Sequence, residues 1–306
     1  MGYERLTVAV PGGEIFATRR GAGPAAIFLH GGPGVGAESI IGLVEELDGL
    51  VNGVLPQQRG LFPSTLEGPR DVETHVADEI ALLDHLGWER AWLIGHAWGG
   101  HLAMHIAVAH PERVTGLILI ETLGALPDGG SAELVANMVA RLTPDERASL
   151  DELVARQAEG DDDPTLMAKI LMVLWPSYSY LHGNVLPPNS LRLEIPLEGE
   201  PTTMESVAAH FEAGTLERRL PGVAVPALLI HGEGDPMPLA STTDTAALIP
   251  GARVEIVEQA GYFPWLERRG HFRTIVEAFL ADHPAAVIPD TSRGPTTEDD
   301  PVDPDA

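Results

Sequence analysis

Ala91-Trp92-Leu93-Ile94-Gly95-His96-Ala97-Trp98-Gly99-Gly100 is an apolar run that passes into a glycine-spaced turn. A short run of large apolar side chains bounded by glycine reads as a buried strand. Gly95 and Gly99 frame a Gly-x-x-x-Gly elbow. Gly99–Ala109 then has the composition of a buried helix. The stretch is a strand, a tight turn and a helix in succession. Ala97 occupies the tip of the turn, where its methyl group can neither attack a carbon nor give up a proton.

On either side, strands and helices alternate. Glu4–Val10 and Glu14–Arg19 flank Pro11-Gly12-Gly13 and predict an opening hairpin. Ala25–Leu29 is a strand leading into His30-Gly31-Gly32-Pro33-Gly34; Ser39–Leu47 has helical spacing, and Leu50–Leu55 is a further strand. Val72–Leu86 sets Val76, Ile80, Leu83 and Leu86 on one helical face, and Val114–Ile120 is another apolar strand. Alternation of this kind predicts an α/β fold with a mainly parallel sheet covered by helices on both faces. From residue 124 to 220 the pattern changes to helical segments (Ala132–Leu142, Pro144–Gln157, Pro164–Leu174) and a proline-rich loop. Strands resume at Ala227–Ile230 and Arg253–Val257, before a last helix over Gly270–Leu280. The predicted organisation is a core of residues 1–123 and 221–285 with a helical cap of residues 124–220. Such a cap would lie over a pocket at the carboxyl ends of the strands. Residues 286–306 are proline-rich and acidic and are read as a disordered tail.

The 306 residues carry 19 Lys and Arg against 45 Asp and Glu, a formal net charge of −26. That excess repels nucleic acid, whose binding needs cationic side chains against phosphate. It favours solubility, or a cationic ligand. The absence of cysteine excludes disulfides, thiolate nucleophiles and thiolate metal sites. No run approaches the ~20 apolar residues that span a bilayer. The opening residues lack the apolar core of a signal peptide, and Leu6 stands where a myristoylation signal has Ser or Thr. A cytoplasmic protein acting on a small molecule, without cofactor, metal, nucleic acid or membrane, is the expectation. Oligomeric state is left open.

Several motifs, in this order, resemble the α/β-hydrolase superfamily. They are His30-Gly31-Gly32-Pro33-Gly34, Gly95–Gly100, His110-Pro111-Glu112-Arg113-Val114, His231-Gly232-Glu233-Gly234-Asp235 and Gly261-Tyr262-Phe263-Pro264-Trp265-Leu266-Glu267. The resemblance covers about residues 4–283. It is strongest to the capped branch that contains proline iminopeptidases and epoxide hydrolases. It implies a strained turn presenting a nucleophile, with an acid and a histidine following in chain order. In this chain those positions are Ala97, Asp235 and Tyr262, so only the acid is retained. The resemblance also implies an oxyanion hole from the backbone amides of Trp98 and Gly32, with Gly31, His30 and His96 beside it. At Gln57-Gln58-Arg59-Gly60 the aminopeptidase-like relatives tend to carry Asp first, so Gln57 removes a carboxylate.

Each candidate has a plainer alternative. Tyr262 is either a hydrogen-bond donor oriented by Asp235 or a ring filling the histidine's space. His101 and His105 have a zinc-chelating spacing but lack the glutamate of the helical metalloprotease motif. His30 and His96 are either replacement bases or packing residues. His182 and His210 are candidates only through their place in the cap, and His271 lies on a different element from Tyr262. Tyr178 and Tyr180, with Trp98, Trp175 and Trp265, form either a binding wall or ordinary core. Glu121 and Asp128 follow the sixth strand and are alternative acids. The reading these residues favour is a diverged enzyme acting on a small, largely apolar molecule without a covalent acyl intermediate, by cyclisation, elimination or isomerisation in a biosynthetic pathway. The alternatives are a serine or aspartate hydrolase inactivated by substitution at Ala97, and a non-catalytic binding protein.

Overall fold

A computed structural model describes residues 2–32, 34–185, 187, 193–194, 202–285 and 287–288. Its strands are β1 (Glu4–Val10), β2 (Gly13–Gly21), β3 (Gly23–Leu29), β4 (Asn52–Pro56), β5 (Ala91–His96), β6 (Val114–Ile120), β7 (Ala227–Gly232) and β8 (Arg253–Val257). They lie in the order β1-β2-β4-β3-β5-β6-β7-β8. β1 and β2 form the hairpin, in register from Glu4 opposite Arg19 to Val10 opposite Gly13. β2 joins β4 antiparallel, and every pairing from β4 through β3 to β8 is parallel.

The central strands are apolar throughout because both faces are covered. On β3, Ile27 and Leu29 join one core while Ala26 and Phe28 join the other. On β6, Leu117 and Leu119 are divided from Ile118 and Ile120 in the same way. The helix Val72–His85 begins where the Asp71 carboxylate accepts the Thr74 amide, and its apolar side joins the first core.

The segment between β6 and β7 contains helices Ser131–Ala140, Pro144–Ala158, Leu166–Leu174, Thr203–Glu212 and Thr215–Arg219. Met138, Leu150, Leu166, Ile170 and Leu174 form a separate small core there. The helices Thr203–Glu212 and Leu239–Leu248 fall where the sequence reading placed none. Val287–Ile288, assigned to the disordered tail, pair antiparallel with Gly23 and Pro24 instead. The rest of residues 286–306 lies outside the described residues, as does most of the proline-rich loop.

Candidate active site

The turn after β5 is as sharp as its glycines require. Ala97 sits at φ 52°, ψ −117°, a region that L-residues adopt only under constraint. The constraint is visible. The Ala97 amide donates to the Ile120 carbonyl at 3.0 Å, and its own carbonyl accepts from Gly100, His101 and Leu123 at 3.1–3.2 Å. A side chain on Gly95 would collide with the backbone of Gly99 and Gly100, and one on Gly99 with the Leu29 carbonyl. The helix Trp98–Ala109 therefore starts directly beneath the end of β3. As its first residue, Trp98 has an amide with no acceptor within the helix, nor one elsewhere among the described residues. Its indole points the other way, donating to the Gln58 side chain at 2.8 Å.

The loop after β3 faces this turn. Gly32 has φ 117°, and a side chain there would strike the Gly34 and Val35 amides. Gly31 is pinned from the other side, because a Cβ would come within 3.1 Å of His96 Nδ1 and 3.4 Å of the Ala97 methyl. Gly31, Gly32 and His96 line one end of a cavity of about 390 Å³. Met167, Leu171, Trp175 and Phe263 supply much of its apolar wall. Glu194, on the rim, forms an ion pair with Arg70 at 2.9 Å, and its amide donates to the Gly34 carbonyl.

Tyr262 stands where the loop after β8 meets the cavity. Its amide donates to the Tyr178 carbonyl at 2.8 Å, and its ring stacks on Tyr178 with centroids 4.5 Å apart at 26°. Burial raises the phenol well above its ordinary pKa, so it stays protonated. The hydroxyl forms no hydrogen bond with Asp235. The Tyr262 carbonyl lies 3.0 Å from His96 Nε2, and the His96 imidazole packs edge-on to the rings of Tyr262 and Trp265. Burial lowers the His96 pKa to about 3, which keeps the ring neutral. Its Nδ1 is buried without a partner.

Asp235 lies behind Tyr262, outside the cavity. One carboxylate oxygen accepts the Met237 amide at 2.8 Å, and the other is buried without a partner. Glu121, at the end of β6 with φ 46°, is fully buried beside it. Glu121 accepts the Gly232 amide at 2.6 Å and lies 3.2 Å from His231 Nδ1. Burial raises Asp235 to about 6 and Glu121 well above the usual carboxylate range. These three residues are the group of possible metal-ligating side chains found among the described residues.

The other candidates separate into occupied and remote groups. His30 is buried, with Nδ1 3.1 Å from the Gly31 carbonyl and Nε2 accepting the Gln58 amide, so both nitrogens are engaged. Gln57 bridges the Ala37 amide and the Phe62 carbonyl. His101 and His105 face each other at 3.3 Å, with His101 also against the Leu123 and Gly124 carbonyls. His210 pairs with Glu73, and His182 with Glu146. Tyr180, expected in the binding wall, lies over Gly234 and is 40% exposed, away from the cavity. Trp265 is core, and His271 is exposed on the last helix. Asp128 accepts from the Gly130 and Ala132 amides in an exposed turn. Sequence reasoning missed the cavity's Met167, Leu171, Ser39 and Glu194. An apolar helix face was the sole local signal for the first two.

Comparison with known proteins agrees with this geometry. The α/β-hydrolase fold family profile matches residues 24–268. The 2-hydroxymuconate semialdehyde hydrolase of Pseudomonas putida is 27% identical over 209 residues, 68% of each chain. A putative 2-succinyl-6-hydroxy-2,4-cyclohexadiene-1-carboxylate synthase of Bacillus subtilis is 28% identical over 226 residues, covering 72% of this chain and 77% of its own. In structure, the proline iminopeptidase of Mycobacterium smegmatis superposes with a TM-score of 0.64 at 22% identity, over 92% of this chain and 98% of the other. With the strand order, the strained turn at Ala97 and a family match across most of its length, the chain belongs to the α/β-hydrolase fold family.

Proposed function

We propose that this protein binds a small, largely apolar organic molecule between the strand ends and the helical insertion, which acts as a cap. It would promote a change in that molecule without ever becoming covalently attached to it. The observation that carries this reading is Ala97. The turn keeps its strained geometry and its unpaired Trp98 amide, yet its tip bears a methyl group. An amide donor fixed at that point, joined by Gly32, stabilises negative charge developing on a carbonyl oxygen, as in enolisation, elimination or ring closure. The apolar wall suits a greasy ligand. That one relative is named a synthase rather than a hydrolase supports a non-hydrolytic reaction within this family. The net charge of −26 opposes nucleic acid as a partner. Among the described residues no helix is long and apolar enough to cross a membrane.

A second reading, a non-catalytic receptor built on the same cavity, is favoured by one observation. Tyr262 and Asp235 are not hydrogen-bonded, so among the described residues no direct hydrogen bond links the acid to the phenol at the cavity.

The test is p-nitrophenyl ester turnover by the unmodified protein and by Ala97→Ser/Tyr262→His, beside mass spectrometry of molecules extracted from natively purified protein. Turnover confined to the double variant, with a co-purified small molecule, is the expected result. Turnover by the unmodified chain contradicts the proposal.

A further inference from the structure

A second set of polar side chains converges behind Tyr262, away from the cavity. Glu121 directly follows β6, and its amide donates to the Ile230 carbonyl of β7 at 3.0 Å. That bond fixes the Glu121 side chain against the end of β7, beside His231 and the loop that carries Asp235. The Gly232 amide occupies Glu121 Oε1 at 2.6 Å. Oε2 has no hydrogen-bond partner and stands 3.2 Å from His231 Nδ1. In Asp235, Oδ1 takes the Met237 amide, while Oδ2 is buried without a partner. One donor atom from each of the three side chains lies within 4.8 Å of the other two. Donor atoms around one zinc ion stand about 3–3.5 Å apart, given bonds of about 2.0–2.2 Å in a tetrahedron. The Glu121–His231 separation already matches, and a small rotation of the Asp235 side chain brings in the third ligand.

The surroundings favour a cation. Neither buried carboxylate forms an ion pair with Lys or Arg among the described residues. Arg141 acts on Asp235 from nearby, but its guanidinium is held by the Ser177 carbonyl at 3.0 Å, and Glu267 adds further negative charge. Burial lowers His231 to about 4, so at neutral pH the ring is uncharged, the form that ligates metals. Thr242 Oγ1, 3.1 Å from Nδ1, is a rotatable hydroxyl that can turn away as a metal bond forms. His231 and Asp235 border a cleft of about 640 Å³, separate from the cavity at Ala97. Glu133, Glu233 and Glu258 also line this cleft and are exposed, so its field draws cations inward.

We infer that Glu121, His231 and Asp235 bind one zinc ion, reached from this cleft, with a water as fourth ligand. An imidazole with two carboxylates suits zinc or manganese, of which zinc binds the more tightly, whereas calcium and magnesium favour oxygen ligands alone. In the metal-free protein the two carboxyls retain a proton, which the ion displaces into solvent. Once bound, the ion ties the end of β6 to the loop after β7 as a structural centre. The sequence reading expected no metal because these ligands come from separate segments with no local spacing to advertise them. The site is independent of the cavity, so its failure leaves the proposed function untouched.

Isothermal titration of chelator-stripped protein with zinc chloride at neutral pH, beside magnesium chloride and calcium chloride, tests this. About one equivalent of zinc should bind, with release of about one proton seen as a buffer-dependent heat. Magnesium and calcium should bind about tenfold more weakly or worse. Glu121→Gln and Asp235→Asn preserve shape and should each weaken zinc by about tenfold or more. His101 and His105, whose Nε2 atoms are 3.3 Å apart, are the competing zinc pair, and His101→Gln/His105→Gln should bind zinc as the unmodified protein does. No zinc binding by the unmodified protein, equal binding of all three ions, full zinc affinity in both carboxylate variants, or its loss in the histidine double variant overturns the assignment. Should neither carboxylate variant fold, the histidine double variant decides.

Discussion

The carboxyl groups of Glu121 and Asp235 are buried side by side, and with His231 Nδ1 their facing atoms all lie within 4.8 Å of one another. Each carboxylate has one firm backbone donor, from Gly232 to Glu121 and from Met237 to Asp235. Two buried negative charges with so little compensation are unfavourable, so the pair retains a proton to a higher pH than free carboxyls do.

That retention sets a pH dependence of stability. Both groups titrate higher in the folded state than unfolded, Asp235 at about 6 against 3.8 and Glu121 well above 4.5. The native state therefore holds more protons, and the stability these groups confer is present below the unfolded values and lost as pH rises through about 6 and beyond. Glu121→Gln removes the effect while its amide oxygen can still accept from Gly232. In urea titrations the variant should exceed the unmodified protein by about 1–3 kcal/mol at neutral pH, with the advantage vanishing in mild acid. A variant weaker under both conditions would contradict the proton-holding pair.

Ala97 and Ala103 should respond oppositely to glycine. Ala103 is a fully buried interior residue of the helix that starts at Trp98, so Ala103→Gly should cost about 1 kcal/mol or more. Ala97 occupies φ 52°, where glycine relieves strain worth about 1–3 kcal/mol and loses chain entropy in partial exchange. Ala97→Gly should be neutral or raise the melting temperature. A fall as large as that of Ala103→Gly would mean the turn is not strained.

Arg59 and Asp78 form a buried bidentate pair, with Nε to Oδ2 at 2.9 Å and a terminal nitrogen to Oδ1 at 2.6 Å. Asp78→Ala strands a buried guanidinium and should cost about 3–5 kcal/mol. Adding Arg59→Leu removes the stranded charge and should recover much of that loss. Chemical denaturation of the single and double variants gives the comparison. A loss of under 1 kcal/mol for Asp78→Ala would show that water reaches the pair.

Local pattern made much of the fold legible. Gly95 and Gly99 predicted the tight turn because their spacing matches the two backbone crossings that a side chain would block. β6 and β8 begin and end where the sequence reading placed them, β6 as an apolar run and β8 as a short strand-forming segment. Leu239–Leu248 was missed because its Ser and Thr residues weaken the helical signal. Thr203–Glu212 was missed although Thr202 and Glu205 form a readable capping box.

The candidate site was half legible. From the order of motifs alone, the sequence reading expects the nucleophile, acid and histidine positions of this fold at Ala97, Asp235 and Tyr262. These are statements about residue identity at positions that local turns define. Tertiary structure decided that both nitrogens of His30 are engaged while His96 Nδ1 is buried without a partner, that Tyr180 lies outside the cavity, and that Glu121 and Asp235 share one burial site. The physical reason is the same in each case. Periodicity tells which face of an element is buried, but only the strand order brings the ends of β3, β5, β6, β7 and β8 together, and partners reach each lone pair across segments far apart in the chain.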